Sequence, residues 1–560
     1  MRAKFFLFAF AAVASLFAVS AFGQSIAITN ARIVTVSGDP IEKGTVVVRD
    51  GLIESVGANA KIPADAQTID ATGLTIYPGF IDALTSAGLQ APPAPTPGGG
   101  GRGGGQAAAA AAQAAAPTSN SNYPAGLRPE LTAADELRAG EGQFDTNRNA
   151  GFTTVVTVGR TGIFNGQSAI IDLAGDSVSA MVIKSPFAEH ISFATIPGQF
   201  PGSLLGTFAA LRQMFLDAQR QQEIQKMYAA NPKGIKRPEA DKSLDALIPI
   251  LNRQVPVVIN ANTEREIIRA IDLAKEFNLK AIIAGGQESW KVADRLKAAD
   301  IPVLLSLNLP KRTTASSAEA DPESLEVLRF RAEAPKCAAR LSQAGVKFAF
   351  ESGSLTSIGD FFTNAGKVVE NGLTKDAAIR AMTLSSAEVL GVSDRLGSIE
   401  PGKIANLTVI KGDLFGRDKF APYILVDGKV FEQKEAPAAG RPGGGGGRFR
   451  GNAPGETAPN VPNIAGSYSV TIQIPDNTIA GTLTFAQQGT TLTGTMVTDI
   501  GTSQIRDGRV SADGFTFATT VIYGGASIDI TVKGSVNGNQ ISGNIDSPQG
   551  SVAFSGTKNP

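Results

Sequence analysis

Between residues 151 and 353 the sequence alternates short apolar runs with amphipathic stretches: TTVVTV (153–158), PVVIN (256–260), KAIIAG (280–285), PVLLSL (302–307) and KFAF (347–350). Runs that are apolar on both faces are strands covered from both sides, and the helices between them provide the cover, so the pattern predicts parallel β/α units. One helix can be placed closely. Thr263 and Glu266 have the spacing of a capping box, and Ile267, Ile268, Ile271 and Ala274 recur at helical intervals up to Phe277. The PVVIN strand therefore ends just before a helix, which puts Asn260, Asn262 and Thr263 at a strand end, where β/α barrels carry their chemistry.

Different patterns lie on either side. Residues 26–36, 45–48 and 52–56, the last after the turn Arg49-Asp50-Gly51, read as antiparallel strands of a small sheet. Residues 466–558 contain about eight strand-type runs, which predict a separate all-β domain, an up-and-down barrel or a sandwich. Residues 91–122 and 436–459 are rich in Gly, Pro and Ala without hydrophobic periodicity, and are expected to be a mobile loop and a domain-separating linker. The first 23 residues have a charged start (Arg2, Lys4), an apolar run and a small-x-small pattern before Gln24, the signature of a secretory signal peptide.

The chain has 560 residues with 51 basic and 51 acidic side chains, a balance that argues against a nucleic-acid binder and, at this length, predicts two or more globular domains. Its one cysteine, Cys337, allows no intramolecular disulfide and no cysteine-based metal site. Export without disulfides suits a bacterial periplasm, with secretion or the outer surface as other destinations. No run apart from the signal approaches the length of a membrane span. The one histidine, His190, leaves no cluster of histidine ligands. Ser352 lies outside a GxSxG motif and His190 has no visible partner, which argues against a serine hydrolase. Neither Gly159-Arg160-Thr161-Gly162 nor Gly285-Gly286 has nucleotide-binding spacing.

Four segments, LTIYPGFIDALTSAGL (74–89), GFTTVVTVGRTGIFNGQSAIIDLAG (151–175), PVVINANTEREIIRAI (256–271) and the run 373–415 ending GSIEPGKIANLTVIKGDLF, together resemble the amidohydrolase superfamily in its imidazolonepropionase-like exported branch. The last carries a GSIxPGKxADLxV signature with Asn406 where Asp is usual. The resemblance spans about residues 25–435. It implies a (β/α)8 TIM-like barrel (78–396) beside a small composite β-sandwich built from 24–77 and 397–435. A linker (436–463) and the C-terminal β-domain (464–560) would follow.

The resembled family binds one or two divalent metals, zinc among them. Its ligands are an HxH pair after the PGFID strand, a lysine or glutamate bridge, two further histidines and a catalytic aspartate, and the metal makes hydroxide available near neutral pH. In this sequence the HxH positions are Leu84 and Ser86, the strand histidines are Asn260 and Gly285, and the aspartate is Gly353. None supplies the expected donor, so the resemblance implies a degenerate site without metal or other cofactor. Glu351, two residues before Gly353, Asn260 and Lys184, the candidate bridging lysine, are the residues on which residual catalysis would rest. Without metals, Lys184 is expected to be solvent-facing or structural, and His190 structural or on the surface.

Three functions stay open. One is a non-catalytic homologue that binds a ligand or partner, the partner being an active amidohydrolase paralogue or a second copy of the chain. Another is hydrolysis of non-peptide carbon–nitrogen bonds by a metal-free or single-site route through Glu351, Asn260 or Lys184. The third is a carbohydrate-, lipid- or protein-binding activity in the C-terminal domain.

Overall fold

The computed structural model describes residues 25–89, 123–434 and 462–559, apart from 125, 141, 160, 176, 196–199, 313–322, 354, 356, 417, 475–476, 489–490, 499–500, 512–513, 524–525 and 548–549. The expected signal peptide (1–23), low-complexity loop (91–122) and linker (436–459) lie outside the described residues. The chain divides into two compact units, Met1–Arg441 and Pro442–Pro560.

Five strands open the first unit: β1 (Ser25–Ile33), β2 (Ile41–Arg49), β3 (Leu52–Gly57), β4 (Gln67–Asp70) and β5 (Thr75–Pro78). There follow β6 (Phe80–Thr85), β7 (Phe152–Thr157), β8 (Phe164–Gln167), β9 (Ala169–Asp172), β10 (Val182–Lys184), β11 (Glu189–Ser192), β12 (Val257–Ala261), β13 (Ala281–Gly285), β14 (Val303–Ser306) and β15 (Phe348–Glu351). The unit closes with β16 (Leu407–Lys411), β17 (Phe420–Val426) and β18 (Lys429–Glu432).

The two ends of this unit form one sheet, in the order β18-β17-β16-β5-β1-β2-β3 with β4 beside β1. β1, β2 and β3 pair antiparallel, as the alternation predicted, whereas β4 and β5 join β1 in parallel. Ile26, Ile28, Val46, Val48, Leu407 and Val409 fill its apolar face. Each such side chain contributes about 1.5–3 kcal/mol on burial, which is what holds the two distant segments together.

The middle of the unit is a domain of TIM-barrel type. β6 pairs in parallel with β7, and β11 to β15 form a continuous parallel run. The strands between them break the expected pattern. β9 runs antiparallel to β7 and β8 antiparallel to β11, with the Ser168 N–H donating to the Ala188 carbonyl at 2.9 Å where the two meet. The chain from 164 to 172 thus passes between β7 and β11 against their direction. This direction is not legible from local pattern, because FNGQ and AIID are too short for periodicity to fix orientation. On the far side, the buried Asp82 of β6 accepts from the Ser352 N–H at 2.9 Å and from the Ser352 hydroxyl just beyond β15. Ile81, Ala83, Val156, Ile170, Val258, Ile282, Leu304 and Ala349 fill the interior.

Asn406, the departure from the resembled signature, stitches this domain to the sheet. Its Nδ2 donates to Asp172 Oδ1 at 2.8 Å and to Thr154 Oγ1 at 3.1 Å, its Oδ1 accepts from the Asp427 N–H at 2.7 Å, and the Thr154 hydroxyl donates to Asp172 at 2.7 Å. Burial pushes the Asp172 carboxyl up to about 7, against the opposing pull of those two donors. The helix Glu264–Glu276 begins at the expected capping box and turns Ile267, Ala270, Ile271, Leu273 and Ala274 inward.

The second unit contains β19 (Gly466–Ile474), β20 (Asn477–Gln488), β21 (Thr491–Thr498), β22 (Gly501–Gln504), β23 (Arg506–Ser511), β24 (Gly514–Tyr523), β25 (Ala526–Asn537), β26 (Gln540–Ser547) and β27 (Gly550–Lys558). They pair antiparallel in the order β20-β19-β27-β26-β25-β24-β23-β21, and β20–β21 contacts close the ring, with β22 as a spur on β21. Of the two architectures the sequence allowed, this is the closed eight-stranded barrel, which leaves no open edge in the ring. Tyr468, Leu483, Phe485, Phe515, Phe517 and Phe554 are among the side chains that fill its core.

Candidate functional site

At the carboxyl ends of the first unit's parallel strands lies a cavity of about 300 Å³. β6 brings Leu84 and Thr85 to it, β11 brings His190, Ile191 and Ser192, β12 brings Val258 and Asn260, and β13 brings Ala284 and Gly285. Glu351 at the end of β15, Gly353, Asn262 and Asn165 complete its polar lining. Strand ends hold side chains rigidly while the loops beyond are free to vary, which is why barrels of this type place chemistry there.

Of the positions singled out in the sequence, Leu84, Asn260, Gly285, Gly353 and Glu351 meet in this cavity. Ser86 and Lys184 are not among its lining residues. Lys184 is exposed, on the antiparallel β10, with its ammonium 5.6 Å from the centre of the Phe187 ring. The bridging role therefore has no geometry to support it.

His190 departs from expectation in the other direction. It is buried, lines the cavity, and bonds the Ser168 hydroxyl through Nε2 at 2.8 Å. Ser168 Oγ donates to the Ala188 carbonyl at 3.2 Å, so its lone pair is what remains to accept from His190, which assigns the Nε2–H tautomer. Burial pushes the imidazole down to about 3, and the ring stays neutral across physiological pH. Sequence reasoning missed this serine partner because β8 and β9 were not recognised as barrel strands. The pair is nonetheless no nucleophile and base: Ser168 is fully buried, and so acidic an imidazolium means a weak base.

Glu351 is buried at 3% exposure and accepts from the Gly353 N–H. A Cβ at Gly353 would stand 2.6 Å from Glu351 Oε2, so the missing side chain is what makes room for the carboxylate. Gly285 has φ +85°, and a Cβ there would overlap Asn262 Oδ1. Asn262 is fixed from behind, its N–H donating to Glu266 Oε2 at 2.9 Å, the same carboxylate that closes the helix cap. The two strand-end amides, Asn260 and Asn262, thus both line the cavity.

Residues 260–436 match the model of the amidohydrolase family. Among solved structures, an amidohydrolase from Thermotoga maritima MSB8 is similar to this chain with a TM-score of 0.60 and 26% identity, over 73% of this chain and all of that one. An adenosine deaminase from Xanthomonas campestris with bound zinc gives 0.41 and 17%, over 73% of this chain and 92% of that one. A Xaa-Pro dipeptidase with methionine in its active site gives 0.43 and 18%, over 73% and 100%. No curated protein sequence matches the chain.

The cavity does not fit the zinc that such a family implies. Among the described residues no three His, Cys, Asp or Glu side chains come together in a way that could hold a metal ion. The cavity offers one carboxylate and one imidazole already engaged with Ser168, while its amides and hydroxyls are weak neutral donors for zinc. Among the described residues, no Lys or Arg belongs to its lining. What this arrangement can do is hydrogen-bond a small polar molecule with a single negative charge facing it.

Proposed function

We propose that this chain is an exported, non-catalytic amidohydrolase homologue whose strand-end cavity binds a small neutral or cationic molecule. The cavity's donor set supports this reading. Hydrolysis of a carbon–nitrogen bond needs a nucleophile made near neutral pH, and neither a carboxylate occupied by the Gly353 N–H nor an imidazole of pKa about 3 generates one efficiently. Among the described lining residues an anionic ligand would meet the Glu351 carboxylate and no Lys or Arg. An amine or amide would be met by the Glu351 carboxylate and by the Asn260 and Asn262 amides.

Protein purified without chelator is analysed for metals by mass spectrometry. Its melting temperature is then recorded with propylamine, propionamide and propionate, three probes of one size and different charge. The amine and amide are expected to raise it and propionate to leave it unchanged, with the Glu351→Gln variant losing the response to amine. Stoichiometric zinc that survives dialysis, together with turnover of an amide substrate, would sink the non-catalytic reading. Stabilisation by propionate alone would sink the charge assignment.

A further inference from the structure

The longest helix of the first unit, Leu204–Ala230, buries Thr207, Ala210, Leu211, Met214, Phe215 and Ala218. Its opposite side is not polar throughout. Leu205 is 82% exposed, Leu216 51% and Met227 47%. Eleven residues of α-helix close to within about 20° of whole turns, so these three side chains stand on one line, roughly 33 Å from end to end. Five of the polar groups beside that line are already matched within the chain. Arg212 Nε donates to both Glu276 oxygens at 3.0 and 2.8 Å, Gln213 donates to Asp217 at 2.8 Å, and Arg220 pairs with Glu223 at 3.6 Å.

Leu216 is the midpoint of the line, eleven residues from Leu205 and eleven from Met227. Such spacing is its own complement under a two-fold axis. If a second copy lies antiparallel with the axis at Leu216, the two Leu216 side chains meet, and each Leu205 meets the other copy's Met227. That register also sets Arg212 beside the other copy's Arg220–Glu223 pair, so that Glu223 stands between two guanidinium groups. A membrane surface would call for a basic rim along the helix, and here Arg212 and Arg220 are each paired with a carboxylate, which leaves Lys226 as a single exposed cation beside Met227.

We infer that the chain self-associates through this helix as an antiparallel, two-fold dimer. A single seam of this length buries roughly 700 Å² in total, well below the 1,200–2,000 Å² of stable complexes, so the dimer is weak, with dissociation in the micromolar range.

Cysteine cross-linking tests the register directly, because Cys337, the chain's one cysteine, is buried and an introduced surface thiol is then the reactive one. Leu216→Cys is expected to form a disulfide-linked dimer under mild oxidation. Leu205→Cys and Met227→Cys are each expected to stay monomeric alone and to cross-link when mixed. Sedimentation equilibrium of the native chain should show a dimer at about 100 μM, and Leu216→Glu should return it to monomer with the melting temperature unchanged. A native chain that is monomeric there and a Leu216→Cys that does not link would overturn the inference. So would a dimer that survives Leu216→Glu, or Leu205→Cys linking to itself as readily as Leu216→Cys, since either outcome means another surface or another direction.

Discussion

Asp172→Asn should make the first unit more stable at alkaline pH and leave it almost unchanged at acid pH. In the folded chain burial holds this carboxyl up at about 7, against 3.8 for the free group. Between those values the folded state keeps a proton that the unfolded state has released, so stability falls as pH rises, by about 1.4 kcal/mol per unit. From pH 5 to pH 8 two of those units are crossed, for a loss of about 3 kcal/mol that then stays constant above pH 7. The substituted amide removes the titration and keeps the geometry, because its oxygen accepts the same Thr154 hydroxyl and Asn406 amide now bound at 2.7 and 2.8 Å. Urea unfolding followed by helical ellipticity reads this unit alone, since among the described residues of the C-terminal unit there are strands and no helices. The stability difference between variant and native chain should grow by about 3 kcal/mol from pH 5 to pH 8. A difference that stays flat across that range would mean that Asp172 is ionised throughout, its two donors outweighing its burial.

Asn406→Asp supplies the residue usual in the resembled signature but sets two buried carboxyl groups 2.8 Å apart, and should cost about 3–5 kcal/mol at pH 8 and much less at pH 5 in the same assay. His190→Gln should flatten the acid limb: a folded imidazole near 3 stays neutral while the unfolded one takes a proton below 6.5, so the native chain loses about 3 kcal/mol between pH 6.5 and pH 4 that the variant keeps. Gly285→Ala should destabilise by about 1–2 kcal/mol from its left-handed φ, with a further penalty from Asn262 that the double change with Asn262→Ala relieves; strictly additive effects would show that the two positions do not touch. A fragment of residues 462–560 should melt cooperatively with a β-type circular dichroism spectrum, and an unstructured fragment would contradict its status as a unit closed on its own ring of strands.

Much of the frame could be read from local pattern. The apolar runs at 153–158, 256–260, 280–285, 302–307 and 347–350 overlap β7, β12, β13, β14 and β15, and the helix after β12 starts at its capping box, because continuous burial and a cap are both written in neighbouring residues. The antiparallel passage through 164–172 was not legible: its direction depends on which strands flank it, and no four-residue run encodes that. The site divides in the same way. That Asn260 and Asn262 face the cavity followed from the strand end, and the resemblance pointed to Leu84, Gly285, Gly353 and Glu351, whereas the bond between His190 and Ser168, 22 residues apart, exists only once β8 has been laid against β11. Asp172 and Asn406 lie 234 residues apart, and only the folded chain shows that an amide at 406 spares a second carboxylate beside the first.

Gly285 makes the cavity hard to convert into a metal site. A histidine there would have to leave φ +85° for a conformation open to ordinary residues and displace Asn262, whose backbone is tied to the cap of the helix behind it. Each of those moves weakens the fold before a single ligand is gained, and one imidazole without companions binds zinc too poorly to repay the loss. The position therefore works as a ratchet. Single substitutions can reshape what the cavity holds, through Asn260, Asn262 or Glu351, while metal chemistry would need several changes at once, the first of them harmful.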